Sequence, residues 1–298
     1  MTRTSLEAAS AFYSTSPGIR LFRFGLGASQ RLWPALAVRA SLRLFGTPLP
    51  PKWMNRRKGW TPDWKIEHWP FEQASITVYS RPVAPHGPVA LLLHGWGGHA
   101  GQMLALADAL AAQGLRPVIV EMPAHGRSKG SVSNLPQFAR VIEYVTARLQ
   151  QDGHTVGAVV AHSLAANAAA WALSRGLPAA RLVLLAPPAS PREYTRLFAH
   201  VFGLSEETRL AMQRRVEARE AILMPQFEPQ AVGPRIRVPT LIVHDREDSI
   251  NRFADGVAYS QAIAGAQMIA TQGLGHRRVL KEPEVLQAVA SFAARAVA

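Results

Sequence analysis

The sequence contains no cysteine among its 298 residues, which excludes a thiol nucleophile, disulfide bonds and thiolate metal ligands. It also lacks an HExxH motif and any close carboxylate–histidine spacing, so we expect no metal site. No apolar run approaches the roughly 20 residues that cross a bilayer, and no apolar segment of signal-peptide type follows Met1. These absences favour a cytoplasmic protein.

Acidic residues are scarce, with 20 Asp and Glu against 33 Lys and Arg. Residues 1–60 carry ten basic residues and one acid, a balance of +9 within a total of +13. No recognition motif accompanies this charge, so we expect no nucleic-acid partner. Two interpretations stay open: helices packed on the main domain with solvated arginines, and peripheral contact with an anionic membrane at its inner face. The first is favoured, because Leu32 and Leu42 interrupt the basic arc of Arg31, Arg39 and Arg43.

Beyond residue 60, short apolar strands alternate with helical patterns, which predicts an α/β fold with a mostly parallel sheet flanked by helices. An antiparallel pair is expected first, at Ile66–Phe71 and Ser75–Ser80. The later strands are expected at Val89–Leu93, Pro117–Glu121, Thr155–Ala161, Leu182–Leu185, Thr240–Val243 and Gln267–Ala270. The helices are expected at Gln102–Gln113, Leu135–Gln150, Leu164–Arg175, Arg252–Ala264 and Pro283–Ala296.

The interval 190–235 breaks this alternation, because it is charged, helical and about twice as long as an ordinary crossover. It predicts a small helical lid insertion. The expected organisation is therefore a basic helical N-terminal extension and linker at 1–60, followed by an α/β domain at 61–298 that carries the lid.

Ser163 stands where an apolar strand, VGAVVAH, meets an alanine-rich helix that starts at Leu164. Such a sharp turn exposes the serine hydroxyl beside a helix N-terminus, where N–H groups can bind an oxyanion. Small residues are needed on both sides, and Ala161 and Ala165 fill those positions. The alternative is an ordinary turn with a serine N-cap.

Three other segments end strands on the same edge of the expected sheet: HGWGG at 94–98, EMPAHGRS at 121–128 and HDREDSIN at 244–251. A glycine-flanked His276 follows the next strand. A serine becomes a nucleophile when an imidazole accepts its proton and a carboxylate orients that imidazole. Only His276 follows both the serine and the acids, in the order that α/β-hydrolases use. Four other histidines at strand ends are expected to fix loops: His94, His125, His162 and His244.

The segments HGWGG, PAHGRS, AHSLAA, HDRED and GLGHRR resemble the α/β-hydrolase superfamily, in its bacterial serine esterase and serine-peptidase-like group. The resemblance runs from about residue 66 to the C-terminus. It implies Ser163 as nucleophile, His276 as general base and Asp248 as the acid, with Asp245 as the fallback. It also implies an oxyanion hole formed by the backbone N–H groups of Trp96 and Leu164.

These observations predict a serine hydrolase that cleaves a carboxylic ester through an acyl-enzyme and needs no cofactor. Serine instead of aspartate at the turn argues against dehalogenase and epoxide-hydrolase chemistry. An acyltransferase, a peptidase or a perhydrolase could use the same triad, and a non-catalytic hydrolase-like module docked by its basic N-terminus also stays open. The candidate apolar walls of the substrate pocket, each of which could equally be core, are Trp96, Phe198, Phe202 and Leu204.

Overall fold

The computed structural model describes residues 17–50, 52, 60–82 and 87–295. The chain divides into two compact units. The sheet unit comprises Pro48–Ala189 and Pro229–Ala298, and the insertion unit joins the segment that ends at Thr47 to Ser190–Glu228. Residues 1–16 and 53–59, which belong to the predicted N-terminal extension and linker, lie outside the described residues.

The sheet unit is built on one eight-stranded sheet with the strand order β1-β2-β4-β3-β5-β6-β7-β8. The pairs β1–β2 and β2–β4 are antiparallel, and every later pair of neighbours is parallel. The strands are β1 Lys65–Phe71, β2 Ala74–Ser80, β3 Val89–Leu93, β4 Arg116–Glu121, β5 Val156–His162, β6 Leu182–Leu185, β7 Thr240–Asp245 and β8 Gln267–Thr271.

The central parallel strands are apolar on both faces, and every residue of β3 (VALLL) and of β6 (LVLL) is buried. Strands with two buried faces have no polar side to alternate with, so they appear in the sequence as continuous apolar runs. The predicted bounds of all eight strands agree with the observed ones to within two residues. The predicted α/β class with a mostly parallel sheet is confirmed.

Eleven helices occur in the described residues: α1 Pro17–Leu32, α2 Pro34–Phe45, α3 Leu104–Ala112, α4 Leu135–Gln151, α5 Leu164–Ser174, α6 Pro191–Phe202, α7 Glu206–Glu220, α8 Pro229–Val232, α9 Phe253–Ala262, α10 Gly275–Arg278 and α11 Pro283–Ala294. The helix expected to begin at Gln102 starts instead as a 3-10 turn, Ala100–Met103, and continues as α3. Helix α4 begins where predicted, because the Asn134 side chain accepts the N–H of Gln137 at 2.7 Å and caps its first turn.

The insertion unit contains α1, α2, α6 and α7. Phe45 at the end of α2 packs edge-on against Phe198 of α6, with ring centroids 5.2 Å apart. After α6 the Gln30 amide of α1 donates to the carbonyl of Gly203 at 3.2 Å and accepts the N–H of Ser205 at 2.7 Å. The sequence does not predict this association, because the segments are more than 140 residues apart and no local pattern links them.

None of the helices in the described ranges is both long enough and apolar enough to cross a bilayer. The predicted location and partners therefore stay predictions.

Candidate active site

Ser163 lies in a strained turn between β5 and α5, with φ 54° and ψ −126°. Positive φ is costly for a residue with a Cβ atom, and it persists here because the neighbouring backbone is fixed on both sides. The N–H of Ser163 donates to the carbonyl of Leu185 in β6 at 2.9 Å, and its carbonyl accepts the N–H of Ala166 at 2.8 Å. Ala161 and Ala165 are fully buried, so the helix can leave the strand at short range.

The loop after β3 lies directly against this turn at Gly95. A Cβ atom at Gly95 would come within 2.7 Å of the Ser163 Cβ and 3.1 Å of the His162 carbonyl oxygen. No side chain larger than hydrogen fits there without moving the backbone. The glycine therefore allows the backbone of the HGWGG loop to pass directly beside the serine.

A continuous hydrogen-bonded chain joins Ser163, His276 and Asp248. The Ser163 Oγ lies 3.1 Å from His276 Nε2, and His276 Nδ1 lies 2.7 Å from Asp248 Oδ2. His276 sits in the short helix α10, and the loop after β7 carries Asp248. The carboxylate fixes the tautomer with the proton on Nδ1, which leaves the lone pair of Nε2 for the serine hydroxyl.

The side chain of Asp248 is fully buried, and its Oδ1 accepts the N–H groups of Ile250 at 2.8 Å and Asn251 at 3.0 Å. Burial alone raises the pKa of this carboxyl. The adjacent His244, the hydrogen bond from His276 and the backbone N–H of Asn251 outweigh burial and hold the pKa of Asp248 well below its usual range. The carboxylate is therefore ionised and ready to stabilise a protonated His276.

Asp245, the fallback acid of the sequence analysis, does not contact His276 but organises the loop that carries it. It accepts hydrogen bonds from the Thr271 hydroxyl at 2.8 Å and from the N–H of Leu274 at 3.0 Å. Burial raises the pKa of Asp245. Hydrogen bonds from the N–H groups of Gly275 and Leu274 and from the Thr271 hydroxyl lower it by more, so the net shift is downward. Geometry thus brings Asp248, and not Asp245, to the imidazole.

The backbone N–H groups of Trp96 and Leu164, the predicted oxyanion hole, belong to the residues that follow Gly95 and Ser163 in the chain. Leu164 is the first residue of α5, where an N–H has no partner within the helix. Among the described residues, neither N–H has a protein acceptor. Both groups are therefore available to a substrate oxygen.

Two of the buried histidines fix the loops beside the site. His94 accepts the N–H of Met122 at 3.1 Å and donates to the Gly95 carbonyl at 2.8 Å. His125 accepts the N–H of Gly97 at 3.0 Å and donates to the Pro123 carbonyl at 2.8 Å. Each ring needs one unprotonated nitrogen to accept its hydrogen bond. Burial favours this neutral form, because it lowers the pKa of His94 and brings that of His125 to about 3.

We expect the free energy of unfolding to fall as the pH is lowered from about 6.5 towards 3. The unfolded chain protonates His125 near pH 6.5, whereas the folded chain holds it neutral down to about pH 3, so the unfolded state binds more protons in this window. One such group contributes up to about 1.4 kcal/mol per pH unit. Urea unfolding at several pH values should show a shallower slope for His125→Gln, which keeps a side-chain acceptor. His200→Gln, at an exposed histidine, is the control, and an unchanged slope in His125→Gln would contradict the assignment.

His162 and His244, which the sequence predicts to fix loops, both lie against the hydrogen-bonded chain of Ser163, His276 and Asp248. His162 Nε2 donates to the backbone carbonyl of His276 at 2.9 Å, and the two rings lie 4.6 Å apart between centroids. His244 Nε2 donates to the Asn251 carbonyl at 3.1 Å and lies 3.5 Å from Asp248 Oδ2. Burial and the adjacent His276 hold the pKa of His162 well below its usual value. Both rings therefore pack against the site, and His162 does so as a neutral group.

Asn251 is a residue that sequence reasoning missed. Its Nδ2 donates to the carbonyl of Ala186 at 2.7 Å and lies 3.4 Å from Ser163 Oγ, while its backbone N–H binds Asp248. It thus touches both the serine and the acid. The only sequence signal is its position three residues after Asp248, which by itself does not distinguish it from an ordinary loop asparagine.

We expect Asn251→Ala to lower kcat about tenfold with little change in KM, because one hydrogen bond that holds the serine and acid loops is lost. Asn134→Ala is the matched control: it removes the cap of α4, costs about 1 kcal/mol of stability and leaves kcat unchanged. Steady-state kinetics and urea unfolding of both variants separate the two effects. Wild-type kcat in Asn251→Ala would remove this residue from the site.

The predicted pocket walls fall in different units. Trp96 is half-buried in the sheet unit, where its ring lies 5.4 Å from that of His125 and 6.1 Å from that of Phe138. In the insertion unit Phe198 contacts Phe202, with ring centroids 4.7 Å apart, and Leu204 is half-buried just after α6. A role of these residues in substrate binding stays a prediction.

Within the described residues, no three His, Asp or Glu side chains are grouped so that they could hold a metal ion. The fold and the chemistry of the site instead define a class. A mostly parallel sheet carries a serine at a strand–helix turn, with a histidine and a buried carboxylate on loops beyond later strands, as in hydrolases that use a serine nucleophile.

Comparison with known proteins agrees with this class. Residues 84–221 match the family model described as serine aminopeptidase, S33, which covers slightly less than half of the chain. No curated protein matches the chain by sequence. Together with the shared fold, the match agrees with the predicted resemblance to the α/β-hydrolase superfamily, and it supports a hydrolase.

Solved structures share the fold at low sequence identity. Est1E from Butyrivibrio proteoclasticus, solved with ferulic acid bound, has a TM-score of 0.62 at 19% identity and covers 76% of this chain and 96% of its own. The esterase Pf2001 from Pyrococcus furiosus has a TM-score of 0.60 at 17% identity, covering 79% and 95%. A bacterial membrane phospholipase A has a TM-score of 0.59 at 15% identity, covering 92% and 96%.

Proposed function

We propose that this protein is a serine hydrolase that cleaves a carboxylic ester through an acyl-enzyme on Ser163. The observation that carries the proposal is the hydrogen-bonded chain from Ser163 Oγ through His276 to the buried, ionised Asp248. A serine hydroxyl is a poor nucleophile until a positioned base accepts its proton. The chain of hydrogen bonds supplies that base in the required tautomer.

In the first half of the proposed reaction, His276 Nε2 accepts the proton of Ser163 as Oγ attacks the ester carbonyl carbon. The carbonyl oxygen becomes an oxyanion, which accepts hydrogen bonds from the N–H groups of Trp96 and Leu164. Asp248 stabilises the imidazolium through Nδ1–H. The imidazolium then gives its proton to the leaving alcohol oxygen as the C–O bond breaks, and an acyl group remains on Oγ.

The second half uses the same groups in the reverse sense. His276 accepts a proton from a water molecule, whose oxygen attacks the acyl carbon. The tetrahedral intermediate collapses, the proton returns to Ser163 Oγ, and the carboxylic acid leaves. An alcohol in place of this water would make the protein an acyltransferase, and hydrogen peroxide would make it a perhydrolase.

Peptide cleavage by the same groups is the second candidate. The description of the matching family model, serine aminopeptidase, favours it. The two candidates differ in the leaving group, which is an amine for a peptide and an alcohol for an ester. An amine must be protonated as it departs, and an alcohol is the better leaving group. A non-catalytic binding module would not require the complete chain of Ser163, His276 and Asp248.

Labelling with a fluorophosphonate probe tests the enzyme class. We expect wild-type protein to be labelled on Ser163 and Ser163→Ala to remain unlabelled. Turnover of p-nitrophenyl esters from acetyl to palmitoyl, of a phospholipid and of peptide p-nitroanilides then assigns the substrate class. The phospholipid is included because the membrane phospholipase A covers more of this chain than Est1E and Pf2001 do. A folded protein that resists the probe would refute the serine-hydrolase proposal.

A further inference from the structure

An apolar corner stands exposed where α1 meets α2 in the insertion unit. Leu32 is 64% exposed, Trp33 is 61% exposed and Leu36 is 57% exposed. These are three of the four most exposed large hydrophobic side chains among the described residues. They lie within five consecutive positions at the junction of the two helices, and we call these three residues the α1–α2 corner.

The corner is part of folded structure. Trp33 occupies the N-cap position of α2, its N–H donates to the Ser29 carbonyl at 2.8 Å, and Pro34 opens the following helix. The other faces of the two helices are buried within the insertion unit at Leu26, Ala37, Val38 and Ser41. Because one face of each helix is packed, the outward direction of the corner is fixed.

Three exposed arginines border the corner: Arg31 beside it in sequence, and Arg39 and Arg43 further along α2. Residues 17–50 contain no Asp or Glu. Within the described part of the chain, none of the three arginines forms an ion pair or a side-chain hydrogen bond. No carboxylate of the described residues is therefore paired with them, and their charge is available to an anionic partner.

We propose that the α1–α2 corner binds an anionic lipid surface. Tryptophan and leucine side chains enter the boundary between headgroups and acyl chains, where the amphipathic indole of Trp33 is favourable. Arginine stems extend along this boundary and place their guanidinium groups at the lipid phosphates. A protein partner would need acidic side chains placed opposite all three arginines. An anionic bilayer instead presents phosphates at every position of its surface.

The test measures binding of the full chain to sedimented vesicles, so it does not depend on the proposed hydrolase activity. We expect binding to vesicles that contain phosphatidylglycerol, none to vesicles of phosphatidylcholine alone, and weaker binding as salt is added. Leu36→Gln should weaken binding at least about tenfold. Leu223→Gln, at a leucine of nearly the same exposure in the same unit (58%), should leave it unchanged.

Charge is tested with a second matched pair. The double variant Arg31→Gln/Arg43→Gln should bind about 25-fold more weakly, since each arginine near an anionic surface contributes about fivefold. Arg214→Gln/Arg215→Gln removes the same charge from exposed positions on α7 and should bind like wild type. Equal losses in both double variants would show non-specific attraction and overturn the proposal. Absence of vesicle binding would also overturn the proposal. This includes the outcome in which light scattering shows a dimer that Leu36→Gln dissociates.

Discussion

Ser163→Ala is expected to lower kcat for the best ester substrate by about 10⁶-fold, and His276→Ala by a similar factor. The reason is that the two groups act as one unit: the hydroxyl is the attacking atom, and the imidazole 3.1 Å away is its base. Their effects should therefore not add. The double variant Ser163→Ala/His276→Ala should be no slower than either single variant.

Steady-state kinetics and thermal unfolding of the three variants check this result. Ser163→Gly is the control for folding, because glycine tolerates the φ of 54° at this position and should keep or raise the melting temperature while activity is lost. A kcat close to that of the wild type in either single variant would refute the assigned nucleophile and base. Losses that multiply in the double variant would show that the two residues act in separate steps.

Asp248→Asn should lower kcat by about 10⁴-fold, whereas Asp245→Asn should lower it less than about 100-fold. An asparagine at 248 can donate to His276 Nδ1, which fixes the wrong tautomer and places a proton on the nitrogen that faces Ser163. At Asp245 the loss is structural, because the carboxylate accepts hydrogen bonds from Thr271 and from the backbone of the His276 loop. We expect that variant to lose about 1–3 kcal/mol of stability.

The comparison of these two conservative variants uses kcat and the free energy of unfolding in urea. A large loss of stability with modest loss of rate in Asp245→Asn would agree with its loop role. If Asp245→Asn were instead the slower enzyme, the acid would have to be reassigned to Asp245, and the geometry of the loop after β7 would have to change during the reaction.

Periodicity and apolar runs predicted the elements of the sheet unit well, because its buried strands and amphipathic helices each leave a local signal. The predicted Leu182–Leu185 and Val89–Leu93 agree with β6 and β3 residue for residue. The 3-10 turn at Ala100–Met103 was missed, since 3-10 and α-helical segments share similar composition. The association of α1 and α2 with α6 and α7 was also missed, because it depends on contacts between distant segments.

By itself, the sequence determined the α/β class, the chain order of Ser163, the acids and His276, and the small residues that the turn at Ser163 requires. These properties depend on neighbours in the chain. Only the tertiary structure decided that Asp248 and not Asp245 reaches His276, that Asn251 lies beside Ser163 Oγ, and that Leu32, Trp33 and Leu36 stay exposed together. Hydrogen bonds and burial depend on distances of a few ångströms between side chains far apart in sequence, and no local pattern encodes those distances.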